Sequence, residues 1–282
     1  MAAASIHASP AQQWGADFFG TLNELPPDPV EGIGHVLDAM SVLPAFRDAR
    51  SWMFRGLKIG PGSSVLEAGC GNGSALSDLG SIVGSKGSIV GIDPTTAFVE
   101  LANQRASQQR INARYQLGDV RSIPFEDEYF DAAFCEKVLI HAGPASAALN
   151  EMVRVTRTGG YIGAVEWLPH FLISSRNPDS LHAFNDIFRR ATYDYLVSGS
   201  LAHHFNMAGL KDVKTEAFLA STDDLDSHPF WRAFIVNQLP MFVHAGLLDQ
   251  TVGEAFLADI QELQARKEFS ASFIIHAAAA QK

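Results

Sequence analysis

From Val65 to Ser74 the sequence reads Val-Leu-Glu-Ala-Gly-Cys-Gly-Asn-Gly-Ser, an apolar run that stops at an acid and then sets glycine at alternate positions, Gly69, Gly71 and Gly73. Glycine is needed where the backbone takes unusual dihedrals or where a ligand approaches with no Cβ in the way. A strand running into such a turn and then a helix therefore seats a ligand on the turn. Spacing separates the phosphate-binding alternatives. A dinucleotide turn wants G-x-G-x-x-G with a helix N-terminus aimed at pyrophosphate; here the run is G-x-G-x-G, and Ser74 stands where the third glycine belongs. A Walker loop needs Gly-Lys-Ser/Thr, which the sequence lacks. Neither phosphate motif is satisfied.

Four more segments follow in order. Val90-Gly91-Ile92-Asp93-Pro94 ends a second apolar run with a carboxylate, about 20 residues past the glycines, where an acid can accept ribose hydroxyls in nicotinamide enzymes as well. Asp93-Pro94-Thr95 is also a good helix start, so capping and ligand contact can coexist there. Then come Leu117-Gly118-Asp119-Val120-Arg121-Ser122-Ile123-Pro124-Phe125, the run Phe130-Asp131-Ala132-Ala133-Phe134-Cys135-Glu136-Lys137 with its sequel to His141, and Glu151-Met152-Val153-Arg154-Val155-Thr156-Arg157-Thr158-Gly159-Gly160. Taken together, Glu67 to Gly73 and these four segments resemble the class I S-adenosylmethionine-dependent methyltransferases, whose first motif is E/D-x-G-x-G-x-G. The likeness spans about residues 35–167 and is nearest the small-molecule branch linked to quinone and natural-product biosynthesis. Thr158 stands where that family usually has proline, a change expected to alter only turn stiffness.

The resemblance implies S-adenosyl-L-methionine as cofactor. It implies contacts from Glu67, Gly69, Gly71, Asn72 and Gly73, ribose contact from Asp93 and Pro94, and adenine-edge contact from Gly118, Asp119 and Val120. Glu136 or Lys137 is expected to line the methionine part. His141, in the loop facing the transferable methyl group, and Glu166, at the end of strand five, are the candidate catalytic bases; the bland readings are a packed histidine and a charge paired with arginine. Two rivals stand beside this reading: an NAD(P)-dependent oxidoreductase, which shares the strand, glycine turn and acid, and a protein that binds the sulfonium without transferring methyl.

Other chemistry-bearing residues read as structural. Adjacent His203 and His204 point to different sides of a helix, so no metal site is expected. Arg50 and Arg55, ahead of the first strand, could meet the cofactor carboxylate, but surface charge is the safer reading. A dense set of aromatic residues outside the sheet, including Phe171, Phe184, Phe188, Phe230, Trp231, Phe234 and Phe242, fits helix packing and also an apolar pocket. The expected substrate is hydrophobic, aromatic or isoprenoid-like, seated in residues 167–265.

These residues need elements to hold them. Short apolar runs at 64–67, 88–92, 113–117, 130–135 and 161–165 alternate with helical stretches at 74–83, 95–109 and 145–157. Strands alternating with helices imply parallel strands with crossovers, hence an α/β, doubly wound, mostly parallel sheet; the resemblance makes it seven-stranded and Rossmann-like, with helical cap insertions. The expected division is a helical cap at 1–57, a cofactor-binding core at 58–167, a mainly helical lid at 168–267 around a sixth strand at 211–219, and a closing strand within 268–282. Leu25-Pro26-Pro27-Asp28-Pro29 is read as a turn between two helices of the cap, because proline forbids helix interiors.

Composition bounds the rest. With 282 residues the chain is long enough for one large core, and 47% hydrophobic against 18% charged residues excludes disorder as its main state. Lys plus Arg number 21 against 31 Asp plus Glu, a net charge of −10 that repels phosphate backbones and anionic lipid surfaces. Nucleic-acid binding is not expected, and a small-molecule substrate is. The sequence leaves homodimerisation open. Two cysteines, Cys70 and Cys135, are too few for a disulfide framework and fit a reducing cytoplasm. The first residues make a poor signal peptide, and no stretch of 18 apolar residues exists to span a membrane.

Overall fold

The computed structural model describes residues 22–24, 27–244 and 246–282. The part of the cap expected before Leu22 lies outside the described residues. Two helices, α1 (Pro27–Val42) and α2 (Pro44–Gly56), lead into alternating strands and helices: β1 (Ser64–Ala68), α3 (Leu76–Val83), β2 (Ser88–Asp93), α4 (Thr96–Gln109), β3 (Ala113–Leu117), β4 (Phe130–Glu136), α5 (Ala145–Val155) and β5 (Thr156–Ile173). The remainder is α6 (Pro178–Ala191), α7 (Leu201–Met207), β6 (Lys211–Thr222), the short helices α8 (Pro229–Arg232) and α9 (Leu239–His244), α10 (Gln250–Arg266) and β7 (Ala271–Gln281). The sheet order is β3-β2-β1-β4-β5-β7-β6. β7 alone runs antiparallel to its neighbours β5 and β6. The doubly wound, mostly parallel sheet expected from the alternation is therefore present, with the seven strands that the resemblance implied.

The central strands β1, β2, β4 and β5 read as near-continuous apolar runs because both faces are covered. Alternate residues serve opposite cores: Val65, Ile89, Phe134 and Val165 join one apolar cluster, and their neighbours Leu66, Val90, Cys135 and Ala164 join the other. All eight are buried. Among the described residues no helix is long and apolar enough to cross a membrane.

Several boundaries differ from the sequence reading. Pro27 and Pro29 do not form a turn; they lie in the first turn of α1, where amide hydrogens have no intrahelical acceptor and proline sacrifices no hydrogen bond. β5 does not stop at Val165 but runs 18 residues to Ile173. Its register on β7 shifts between Leu168 and Leu172, around Pro169, which has no amide hydrogen to give a ladder and suits a bulge. At its start, Thr158 belongs to β5 rather than to a turn before it: the partner of Phe130 is Thr156 while that of Ala132 is Tyr161. The extra residues bulge out between those two pairs. β6 likewise extends past residue 219 to Thr222, and β7 covers 271–281, within the expected 268–282.

Candidate cofactor cleft at the carboxyl ends of the strands

Parallel strands collect their loops at their carboxyl ends, and in open sheets ligands bind in the crevice between strands whose connections diverge. Here β1 lies between β2 and β4, and the loops after these strands border an open cleft. Its wall contains Glu67, Gly69, Gly71, Asn72, Asp93, Pro94, Asp119, Val120, Glu136, Lys137 and His141. The wall also holds Leu37, Cys70, Ser74, Ala75, Phe98, Arg121, Val138 and Ala142, which the sequence reading did not select.

The glycine turn is built for close approach. The Gly69 and Cys70 amides both donate to Ile92 O, at 2.8 and 2.9 Å, folding the turn back on β2. Gly69 has φ +74°, and a Cβ there would stand 2.4 Å from Val138 Cγ2. Gly71 has φ +49°, but a Cβ on it would meet only Leu37 Cδ1, at 3.5 Å. The first glycine is thus demanded by packing and the second leaves room in the cleft. Gly73 and Gly118 do not line the wall. Gly73 backs onto Ala102, whose Cβ lies 2.9 Å from where its own would be, and the Gly118 amide ties the end of β3 to Asp93 O at 3.1 Å.

Asp93 accepts from Gly71 N at 2.9 Å through one oxygen and from Thr95 N at 2.9 Å through the other. It fixes Thr95, the residue at which α4 begins, and braces the glycine turn at once. Asp119, half-exposed, is gripped by the Arg121 guanidinium, which holds its carboxyl below the usual range despite some desolvation. Asn72 donates to Gly34 O at 3.1 Å and to Asp38 Oδ1 at 3.0 Å, and Arg105 clamps Asp38 through two bonds of 2.8 and 2.7 Å. These bonds strap α1 over the cleft, with Leu37 turned into it.

Arg50 overturns the surface-charge reading. It is only 2% exposed, donates to Glu136 at 2.6 and 3.0 Å and reaches Asp78 at 2.9 Å. Arg55, five residues on, is exposed as expected. Lys137 pairs with Glu136 and sits 4.8 Å from the Phe46 ring centroid. Burial alone would raise the Glu136 pKa, but the Arg50 and Lys137 charges outweigh it and hold the group at about 2. Glu67 has the opposite balance. Burial, reinforced by the Glu136 charge, pushes it up to about 8, and its Oε2 is buried without a hydrogen-bond partner. Two carboxyl groups in one floor are thus driven apart, one charged and one carrying a proton near neutrality.

The two candidate bases separate. His141 faces the cleft, and burial pushes its pKa down to about 4, so the imidazole is neutral at physiological pH. Glu166 is fully buried and is not part of the cleft wall. Its Oε1 accepts from Val138 N at 2.8 Å and Leu139 N at 2.7 Å, so its partners are backbone amides of the loop after β4 and not an arginine. Burial raises it to about 7, the amide bonds working against that rise.

These shifts set a sign for stability. Over roughly pH 6.5–8, Glu67, at about 8, and Glu166, at about 7, hold protons in the folded chain that an ordinary glutamate with a pKa of about 4.3 has released. The folded state then binds more protons than the unfolded one, and stability falls as pH rises. His141, depressed to about 4, acts in the opposite sense only below the ordinary histidine value of about 6.5. The ligand-free protein should therefore melt at a lower temperature at pH 8 than at pH 6.5, and Glu67→Gln should flatten that slope in calorimetry. An unchanged slope in the variant would remove Glu67 as its source.

Several aromatic residues of 167–265 are packed into the core. Trp167, Phe171, Phe188 and Phe234 are buried against one another, with Trp167–Phe234, Phe171–Phe234 and Phe188–Phe234 centroids 5.2–5.3 Å apart. They spend their faces on core packing, and no residue of 167–265 lines the cleft.

With this geometry in place, comparison with known proteins is informative. The family model described as a methyltransferase domain matches residues 65–160, from β1 into β5. The chain carries a class I S-adenosylmethionine-dependent methyltransferase domain. Among its relatives, the 2-phytyl-1,4-naphtoquinone methyltransferase of Synechococcus elongatus is 32% identical over 147 residues, 49% of this chain and 63% of that protein. A 37.1 kDa transposon protein of Streptomyces fradiae, itself uncharacterised, is 35% identical over 133 residues, 46% of this chain and 38% of that one. The chain thus matches less than two thirds of the length of these curated relatives. The YcgJ protein of Bacillus subtilis shares the fold, with a TM-score of 0.58 at 16% identity, covering 84% of this chain and 98% of that one. All the cleft-wall residues from Glu67 to Ala142 fall inside the methyltransferase domain; Leu37, on α1, is contributed from outside it.

Proposed function

We propose that this protein transfers a methyl group from S-adenosylmethionine to a small hydrophobic acceptor, aromatic or isoprenoid-like, by in-line displacement. The observation that carries the reading is the cleft floor, where four carboxyl groups, Glu67, Asp93, Asp119 and Glu136, surround the glycine turn and Glu67 keeps a buried oxygen without a partner. A ligand that brings hydrogen-bond donors, an ammonium group and ribose hydroxyls, answers the partnerless Glu67 oxygen and the Asp93 carboxylate, since Glu136 and Asp119 already have Arg50, Lys137 and Arg121. A doubly negative pyrophosphate does not, which weighs against the oxidoreductase rival.

When bound, S-adenosylmethionine supplies an electrophilic methyl group and leaves as a neutral thioether. The chain's own work is to hold, align and exclude water, an arrangement worth up to about 7–11 kcal/mol in favourable cases. In this reading Glu67, Gly69, Gly71 and Asn72 with Glu136 and Lys137 hold the amino-acid end, Asp93 and Pro94 the ribose, and Asp119 and Val120 the adenine edge. Gly73 and Gly118 support that wall from behind. Neutral His141 takes the acceptor's proton. Glu166 acts through the amides of Val138 and Leu139, fixing the loop that carries His141, and is a positioning residue.

The lid at 168–267 supplies the acceptor's flank in this reading. Its Tyr193 amide donates to Ile140 O at 2.9 Å, beside His141, and the same segment leaves Tyr193 50% and Leu196 66% exposed. Two exposed large side chains on a segment tied by its backbone to Ile140 favour an apolar acceptor, in keeping with the named activity of the Synechococcus relative.

The test is a thermal-shift panel with S-adenosylmethionine, S-adenosylhomocysteine and NAD, followed by transfer of labelled methyl to a phytylated naphthoquinol. The adenosyl ligands should stabilise and NAD should not. His141→Ala should cut turnover by about 10²–10⁴-fold with cofactor affinity nearly unchanged. Stabilisation by NAD alone would overturn the cofactor assignment; cofactor binding with no transfer to any of a set of quinols, sterols and prenyl compounds would overturn the activity.

A further inference from the structure

A second recess lies at the opposite end of the sheet, at the amino ends of β5 and β6, lined by Trp52, Arg55, Lys58, Tyr161, Asp212 and Lys214 among others. Nothing in methyl transfer uses it. Its floor is flush because Gly56 lets α2 lie against β7: a Cβ on Gly56 would be 2.5 Å from Ala279 Cβ. Three cations face one carboxylate there, in a chain whose net charge is −10. Even after the helix end of α2 is credited with about half a negative charge, an excess of about +1.5 remains. Lys58 is held over the Tyr161 ring, its Nζ 4.9 Å from the centroid, so one ammonium is already placed. Arg55 and Lys214 are exposed, and among the described residues neither makes a salt bridge. Half-buried Trp52 adds an indole to the wall.

We propose that this recess binds a small planar aromatic anion, the indole of Trp52 meeting the ring and Arg55, Lys58 and Lys214 meeting the carboxylate. The cations choose the charge, and the aromatic wall over a floor of small side chains chooses the flat body. The placement is independent of the cofactor cleft and of the reaction assigned to it. One structural element joins the two sites, however: α2 carries Trp52 and Arg55 to the recess and Arg50 to Glu136 in the cleft floor.

The probe is 1-naphthoate, titrated by calorimetry into the full-length protein at low ionic strength. The expected result is saturable binding of one equivalent. Affinity should fall about threefold in Lys214→Gln and about tenfold in Arg55→Gln/Lys214→Gln, since each exposed charge is worth at most about 1 kcal/mol. Both side chains are exposed, so melting temperatures should not move. Arg121→Gln, on the rim of the cofactor cleft, should leave naphthoate affinity unchanged. Neutral 1-naphthol and inorganic phosphate should each bind at least tenfold more weakly. The proposal is overturned by the absence of saturable heat at millimolar naphthoate, by unaltered affinity in the double variant, by an equal loss in Arg121→Gln, or by phosphate binding as tightly as naphthoate.

Discussion

Arg50→Met is expected to lower the free energy of unfolding by about 3–5 kcal/mol, the cost of leaving a buried carboxylate without its partner. Glu136 is the group left behind. Its side chain is 7% exposed, and Arg50 supplies two of its hydrogen bonds, at 2.6 and 3.0 Å. Lys137 remains, but it also sits over the Phe46 ring and cannot replace a two-pronged guanidinium. At roughly 2–4 °C per kcal/mol for a chain of this size, the melting temperature should drop by about 10 °C. The loss should reach function too, because Arg50 joins α2 to the end of β4 and to Asp78 on α3. Pairing Arg50→Met with Glu136→Leu should recover most of the stability, since apolar residues of similar volume often replace a buried ion pair at no net loss. It should not recover S-adenosylhomocysteine binding, because the cleft floor has lost its fixed charges. Urea unfolding and calorimetry on the two variants decide the matter. A single variant within about 1 kcal/mol of the parent would mean the pair is structurally idle.

Arg50 also marks where sequence reading stops. Its partner Glu136 is 86 positions away, and nothing local in an arginine on a helix says whether it is buried. Glu166 failed in the same way: a charge at the end of a strand is visible, but its acceptance of two amides from the next loop depends on how β4 and β5 align. The aromatic residues of the lid were visible as apolar mass, and only the packed structure shows that they use it on each other. By contrast, the parallel part of the sheet was legible because its central strands are local apolar runs bounded by glycine or a turn and crossovers leave few topological choices, while the count of seven strands came from the methyltransferase likeness. The glycine turn was legible because a ligand-binding turn imposes fixed spacing on a short segment, and the likeness to methyltransferase motifs pointed to Asp93, Asp119, Glu136 and Lys137, which do meet at the cleft wall. Leu37 and Phe98, which close the cleft from α1 and α4, carried no such signal. A leucine or phenylalanine on an amphipathic helix looks the same over a ligand as over a core.

Gly71→Val should abolish cofactor binding while leaving the fold in place, and this pairing is what makes the substitution informative. At Gly69 a Cβ would collide with Val138 at 2.4 Å, and at Gly73 it would stand 2.9 Å from Ala102, so substitutions there confound folding with binding. At Gly71, chain neighbours aside, the one atom within 4 Å of an added Cβ among the described residues is Leu37 Cδ1, at 3.5 Å. The branches of valine would therefore project into the space that faces the ligand. The cost to the fold is that of a side chain at φ +49°, roughly 1–2 kcal/mol, which is a few degrees in melting temperature. The cost to binding is steric exclusion next to the amide that Asp93 braces at 2.9 Å, and affinity for S-adenosylhomocysteine should fall at least a hundredfold in titration calorimetry. Gly71→Asn supplies the control for strain, since asparagine tolerates the left-handed region better than most residues yet still fills the space. It should melt closer to the parent and bind no better than the valine variant. Asparagine restoring affinity would shift the cause from lost volume to backbone strain, and parental affinity in the valine variant would place the ligand elsewhere.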